Sequence, residues 1–217
     1  MTRGTISLVF DDGYQCVYEN AVPLLDRYNI PGVFAIPLET SALEKKEQRK
    51  IRQWNKWLHL ATRGHEIASH SITHRSFMEL NSADLDKELK VPAEKLSAST
   101  LVYPGGACNK HISRRAARYY SAARTVRKGY ERIPPQDPME LHCFNWSRQN
   151  WSLVKANALV FWAYLNNYWI IETFHMIDDD EKDILHTIKT SALSHHLSFI
   201  SRLPIRKATI SSVINSL

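Results

Sequence analysis

Cysteine is scarce: Cys16, Cys108 and Cys143 are the only ones in 217 residues, and no two stand in a C-x-x-C spacing. So few and so scattered, they exclude a disulfide framework and a thiolate zinc site, and the thiols are expected to be buried. Long apolar runs are missing too; none approaches the roughly 20 residues that a membrane-spanning helix needs. There is no internal repeat, no low-complexity linker, and no room before Thr5 for a secretory leader. As written, the chain is expected to be cytoplasmic, or secreted or periplasmic if a leader has been removed. Basic residues interleaved with aromatics are also lacking, so nucleic-acid binding is not expected. The net charge of +6 would suit an anionic partner, but the cations are spread along segments such as Glu44-Lys45-Lys46-Glu47-Gln48-Arg49-Lys50. Acids are mixed with bases there, which describes a solvated helix face.

What is present is a 44% hydrophobic chain, enough for one sizeable core and a single domain over residues 1–217. Apolar, β-rich runs recur at Thr5–Phe10, Val33–Ile36, Ser99–Tyr103, Ala122–Val126 and Tyr168–Phe174, and another run ends near His70. Helical stretches fall between them. One spans Val17 to Tyr28. A second passes through Trp54, Trp57 and Leu60, with Trp54, Trp57, Leu58 and Ala61 as its core face. A third runs from Ala83 to Leu96, capped by Ser82, with Asp84, Asp86 and Glu88 on its solvated side. A basic helix carries Arg114, Arg115 and Arg118. The Trp151–Leu165 helix turns Leu153, Ala156, Leu159, Val160 and Ala163 inward. The acidic run Asp178-Asp179-Asp180-Glu181 is expected to start the last long helix, in which His195 and His196 are surface or packing residues.

The chemistry sits where strands end. Asp11-Asp12 closes the first strand, and adjacent carboxylates repel and are costly to desolvate unless a cation compensates them. A cap and turn for the following helix is the plainer alternative. His70 and His74 would share a helical face, but Ser71-Ile72-Thr73 are poor helix formers, so a tight turn is expected to converge the rings. A hydrogen-bonded structural pair is the competing reading. His65-Glu66 invites the H-E-x-x-H pattern, yet His70 comes one residue too late for it. Pro104-Gly105-Gly106 makes a sharp turn whose backbone N–H groups can face a ligand, and His175 ends the last strong strand. In a parallel α/β barrel, all these positions share one rim.

Four segments, Phe10-Asp11-Asp12-Gly13, His70-Ser71-Ile72-Thr73-His74, Tyr103-Pro104-Gly105-Gly106 and Phe174-His175, resemble the motifs of the polysaccharide deacetylase, or NodB-homology, family of carbohydrate esterases (family 4). The resemblance implies a distorted, seven-stranded (β/α) barrel. It implies a divalent metal, zinc first and cobalt or nickel otherwise, bound by Asp12, His70 and His74 with positions left open for water and substrate. Asp11 would be the general base and His175 the general acid, with the Gly105 N–H on the oxyanion. Tyr103, Pro104 and Trp146 would line the substrate site, Trp146 either walling the acyl pocket or packing in the core.

Departures from the family pattern bear on this reading. Many members carry an arginine two positions before the third motif's proline, where it pairs with the base; here that position is Val102, so the metal and local hydrogen bonds are expected to set the basicity of Asp11. Asp137 and Asp178 are candidates for orienting His175, and Asn145-Trp146 stands where the family often has an acid and a tryptophan. The resemblance thus implies a metal-dependent hydrolase removing N-acetyl, or else O-acetyl, groups from an acetylated carbohydrate. The alternative is a non-catalytic carbohydrate-binding protein of the same fold. Relatives act on chitin-like chains, peptidoglycan, xylan esters and lipid-linked sugars, and the loops carry no legible code among these.

Overall fold

The computed structural model describes residues 3–179 and 185–217. Seven parallel strands form its centre: β1 (Thr5–Phe10), β2 (Gly32–Ile36), β3 (Glu66–Ser69), β4 (Thr100–Val102), β5 (Ala122–Lys128), β6 (Leu141–Asn145) and β7 (Trp169–Phe174). Each pairs with the next, and β7 returns to β1 along its whole length, from Thr5 opposite Trp169 to Phe10 opposite Phe174. The sheet is therefore a closed barrel with no free edge among the seven. A short parallel ribbon follows, β8 (Met176–Ile177) with β9 (Thr187–Ile188), and β10 (Arg206–Lys207) adds to β1 at Thr5 and Ile6, below the point where β2 joins at Leu8.

Because side chains alternate along a strand, each strand sends one set inward. Val9, Ala35, Ala68, Val102, Cys143 and Ile171 belong to this inner cluster, separate from the larger shell between barrel and helices. The crossovers carry α1 (Val22–Arg27), entered through a π-helical turn at Val17–Ala21, then α2 (Ser41–Glu47), α3 (Ser82–Leu96), α4 (Lys110–Ala116) and α5 (Leu153–Asn166). After β7 come α6 (Thr190–Arg202) and α7 (Ile210–Ile214). Residues 129–140, between β5 and β6, cross over with only a 3-10 turn at Pro138–Glu140. α7 plugs the base: Ile210 and Val213 join the inner cluster, Ser7 Oγ donates to Ala208 O (2.7 Å), and Glu66 accepts from Ser211 N–H (2.8 Å).

Several sequence expectations change. The helix predicted through Trp54 and Leu60 is two 3-10 pieces, Trp54–Lys56 and Leu58–Arg63. Their period of three aligns Trp57 and Leu60 on the core, leaves Trp54 and Leu58 half-buried, and turns Ala61 to solvent. The cap of α3 is Asn81, not Ser82: its Oδ1 accepts from the N–H groups of Ala83 (3.0 Å) and Asp84 (2.9 Å). α6 begins at Thr190 rather than in the acidic run, although Asp179 still serves it by accepting Thr190 N–H (3.0 Å); Asp180 and Glu181 lie outside the described residues. Of the thiols, only Cys143 is fully buried. In α5, Ala156, Val160 and Ala163 are buried, but Leu153 and Leu159 only half so. His195 is exposed, and His196 is buried between Glu172 and Asn157, 2.7 Å from each. No described helix is long and apolar enough to cross a membrane.

Candidate active site

The site is assembled where β1 and β3 run out. Asp11 continues the inward register of β1, its N–H still bonded to Phe174 O (2.9 Å), and Asp12 follows in the left-handed region at φ 69°. His70 extends β3, its N–H on Ile36 O (3.1 Å), and the chain then turns through Ser71 (φ 69°) to His74 (φ 57°). Among the described residues, Asp12, Ser71 and His74 are three of the seven non-glycine positions at positive φ. Such conformations cost energy and persist where the surroundings impose them, so their concentration here marks the turn as built for something other than stability.

Glu88 does the imposing. One carboxylate oxygen accepts the N–H groups of Ile72 (2.7 Å) and Thr73 (3.1 Å); the other accepts the Thr73 hydroxyl (2.6 Å). Expected on the solvated side of α3, Glu88 is instead buried, and Ser71 Oγ completes the brace by accepting His74 N–H (2.9 Å).

This braced turn brings one donor atom each from Asp12, His70 and His74 within 4.8 Å of one another. His70 Nδ1 lies 2.8 Å from Val102 O, which can only accept, so Nδ1 carries a proton and Nε2 is the ring atom turned to Asp12. His70 Nε2 and His74 Nε2 stand 3.3 and 3.1 Å from Asp12 Oδ1, but this buried oxygen has no aligned hydrogen-bond donor. Burial alone would push the Asp12 carboxyl up; the two imidazoles outweigh it and hold the pKa well below the carboxylate range. Burial likewise opposes charge on His70, yet Asp12 and Asp11 raise its pKa. Two imidazoles and a carboxylate fit a divalent metal with positions left open.

Beside this group, Asp11 Oδ2 accepts from Arg124 at 2.5 Å, both side chains buried. β4 and β5 pair with Arg124 directly opposite Val102. The cation expected to be missing at Val102 is thus supplied from the neighbouring strand, at the matching register position. The overlooked signal was an arginine among inward-facing apolar residues, since a buried guanidinium must be paired. Asp11 Oδ1 is buried with no hydrogen-bond partner among the described residues. His175 Nε2 is 3.8 Å from Asp11 Oδ2, and its ring lies against His186 with centroids 4.7 Å apart. Burial first, then His175, lowers the His186 pKa. Neither Asp137 nor Asp178 lines the pocket; Asp137 caps its own turn at Met139 N–H (2.8 Å).

The pocket holds about 330 Å3. Gly105 stands at its rim with φ 62° and nothing within 4 Å of where a Cβ would be, whereas a Cβ on Gly106 would meet Val126 at 2.4 Å. Tyr103 borders the pocket, but its hydroxyl points to Met139 O (3.0 Å), and Pro104 is buried. Trp146 does not line the pocket: it is 2% exposed and its indole N–H donates to Glu172 (3.0 Å). Strand alternation gives the pocket Asn145 instead, paired in register with Thr173. Asn145 Oδ1, Thr173 Oγ1 and His175 Nδ1 are all buried without partners. Of twelve such side-chain atoms among the described residues, seven lie in or beside this pocket, as expected of a surface shaped to receive a polar ligand.

A family model, polysaccharide deacetylase, matches residues 1–122. That span carries Asp11, Asp12, His70, His74 and Gly105 and stops short of Arg124, Asn145 and His175. A gellan lyase from Bacillus sp is 34% identical over 128 residues, 56% of this chain but only 5% of the lyase's length. Two solved structures share the fold: the Xyl-CE4 domain of a multidomain xylanase from the hindgut metagenome of Trinervitermes trinervoides, and Bacillus subtilis PdaA, a family 4 carbohydrate esterase. The first has TM-score 0.63 at 13% identity, covering 99% of this chain and 91% of that one. The second has TM-score 0.62 at 15% identity, covering 100% and 85%.

Proposed function

Because the chain belongs to the polysaccharide deacetylase family, we propose that it hydrolyses acetyl groups from a carbohydrate, N-acetyl first and O-acetyl otherwise. Asp12, His70 and His74 would hold a divalent cation, zinc ahead of cobalt or nickel. The observation that carries this reading is the convergence of those three donors beside a buried carboxylate with one oxygen anchored and one free. When bound, such a cation lowers the pKa of water toward about 7 and polarises an acyl carbonyl.

The protein's own groups do the rest. Arg124 fixes Asp11 through Oδ2 and supplies the counter-charge that two adjacent buried carboxylates need. The unpartnered Oδ1 takes the proton from the attacking water as its oxygen bonds to the acyl carbon. The Gly105 N–H, at the open rim, donates to the oxyanion. His175, its Nε2 3.8 Å from Asp11 Oδ2, gives a proton to the departing nitrogen or oxygen as the acyl bond breaks, releasing acetate and a free amine or alcohol. The non-catalytic alternative drew on the absence of a cation at Val102, and Arg124 removes that ground.

The test is metal content together with acetate release, for wild type and His70→Ala, on N-acetylglucosamine oligomers and acetylated xylan. Stoichiometric metal and acetate release, both lost in the variant, are expected. Undiminished acetate release by His70→Ala would sink the proposal.

A further inference from the structure

The crossover between β5 and β6 carries no α-helix, and a groove of about 850 Å3, more than twice the volume of the catalytic pocket, lies along it. Trp162 of α5 lines it and is 54% exposed. Tyr130 and Tyr168 form another wall, their rings stacked at 5.5 Å, with the Arg132 guanidinium over Tyr168 at 5.6 Å. Most other charges here are matched: Arg127 bonds Glu140, His142 Nδ1 meets Glu131 at 2.6 Å, and Asp137 accepts Met139 N–H, so acids and bases are mixed along the groove. Such a groove offers no concentrated charge to a phosphate or an acidic chain. What it offers is an aromatic face bordered by planar hydrogen-bonding edges, which complements an uncharged pyranose with its apolar C–H face and its ring of hydroxyls.

Its position adds to this. On β5, Val126 lines the catalytic pocket, and the next residue, Arg127, lines the groove. The two cavities thus meet at one strand, and the groove runs from there along the barrel's outer wall toward Tyr168 at the start of β7. We propose that the groove is a second carbohydrate site, which binds sugar units of the same polymer whose acetylated unit occupies the catalytic pocket. The choice of a carbohydrate rests on the deacetylase reading above; the groove itself does not.

The experiment compares wild type, Trp162→Ala and Trp162→Phe. Binding of N-acetylglucosamine hexamer and dimer is measured by calorimetry in the presence of EDTA, and acetate release from both is followed with metal restored. Trp162→Ala is expected to bind the hexamer about tenfold more weakly, the loss of one central aromatic contact. Its KM for the hexamer should rise with kcat and dimer turnover unchanged, and Trp162→Phe should recover most of the affinity. Equal hexamer binding by wild type and Trp162→Ala, no hexamer binding by either, or a change in oligomeric state in place of a change in glycan affinity would each overturn the site. Should no protein release acetate while the binding difference persists, the deacetylase reading falls and the groove stands.

Discussion

The two flanks of the catalytic pocket are finished to different degrees. On the β1–β3 flank, the turn from His70 to His74 is closed by Glu88 and Ser71, and His70 is tied to Val102. On the β5–β7 flank, Arg124 is anchored on Asp11, while Asn145, Thr173 and His175 each keep a buried polar atom with no partner among the described residues. On the first flank the free atoms are one oxygen each of Asp11 and Asp12. The first flank's turn is braced before anything binds, which is what the proposed role of holding a cation in fixed geometry would require. The second leaves its polar groups free for a substrate whose contacts they would complete.

Substitutions can break that contrast, the largest effect first. Arg124→Val removes the partner of a buried carboxylate and is expected to cost about 3–5 kcal/mol of stability; denaturant unfolding measures it. Adding Val102→Arg to this variant should restore part of both stability and acetate release, because the two positions face each other across β4 and β5. Failure of the exchange would show that the strand from which the cation comes matters. Asp11→Asn and His175→Ala should each lower kcat by about 10²- to 10⁴-fold with metal content intact, which steady-state kinetics and metal analysis together resolve. If His175→Ala lost metal instead, the division between the flanks would be wrong.

Glu88→Gln sharpens the comparison from the other side. The carboxamide presents donors to a turn that needs acceptors, so metal affinity should weaken by about 10- to 100-fold with little change in helix content; titration calorimetry and circular dichroism decide it. The smallest effect lies at the barrel base, away from both flanks. His65 Nδ1 accepts Gly32 N–H (2.9 Å), which needs a neutral ring, and burial lowers its pKa from 6.5 despite the nearby Asp26. Its contribution to stability is full above the unfolded value and is lost as pH falls through the lower folded one. Melting should therefore weaken below neutral pH, and less steeply in His65→Leu.

The contrast also governs what could be read in advance. Asp11-Asp12 and His70 to His74 are short local segments, so the proposed ligand set and its turn show in the chain itself. Arg124 and Asp11 are 113 positions apart, and only strand register brings them together. Glu88 follows Asp84 by one helical turn and shares its face by periodicity; the unpaired amides of the adjoining turn draw it inward. With Trp146, the deciding factor is alternation, since a shift of one residue exchanges pocket for core. The barrel was legible because strands and helices alternate along the chain. The short 3-10 pieces near Trp57 were not, because over so few residues periods of three and 3.6 look alike.

The closure of the barrel sets a schedule for its assembly. β1 pairs early with β2, but its other side waits for the far end of the sequence: β7 lies against it from Thr5 to Phe10, and Ser7 bonds Ala208 across 201 positions. Until β7, β10 and the α7 plug have emerged from the ribosome, one side of β1 is an open edge able to pair with another chain. Contacts of such sequence separation slow folding. Truncation before Trp169 removes β7 and leaves that edge unpaired, so it should yield a chain that aggregates during synthesis; strands made last decide whether side chains made first are ever brought together at the rim.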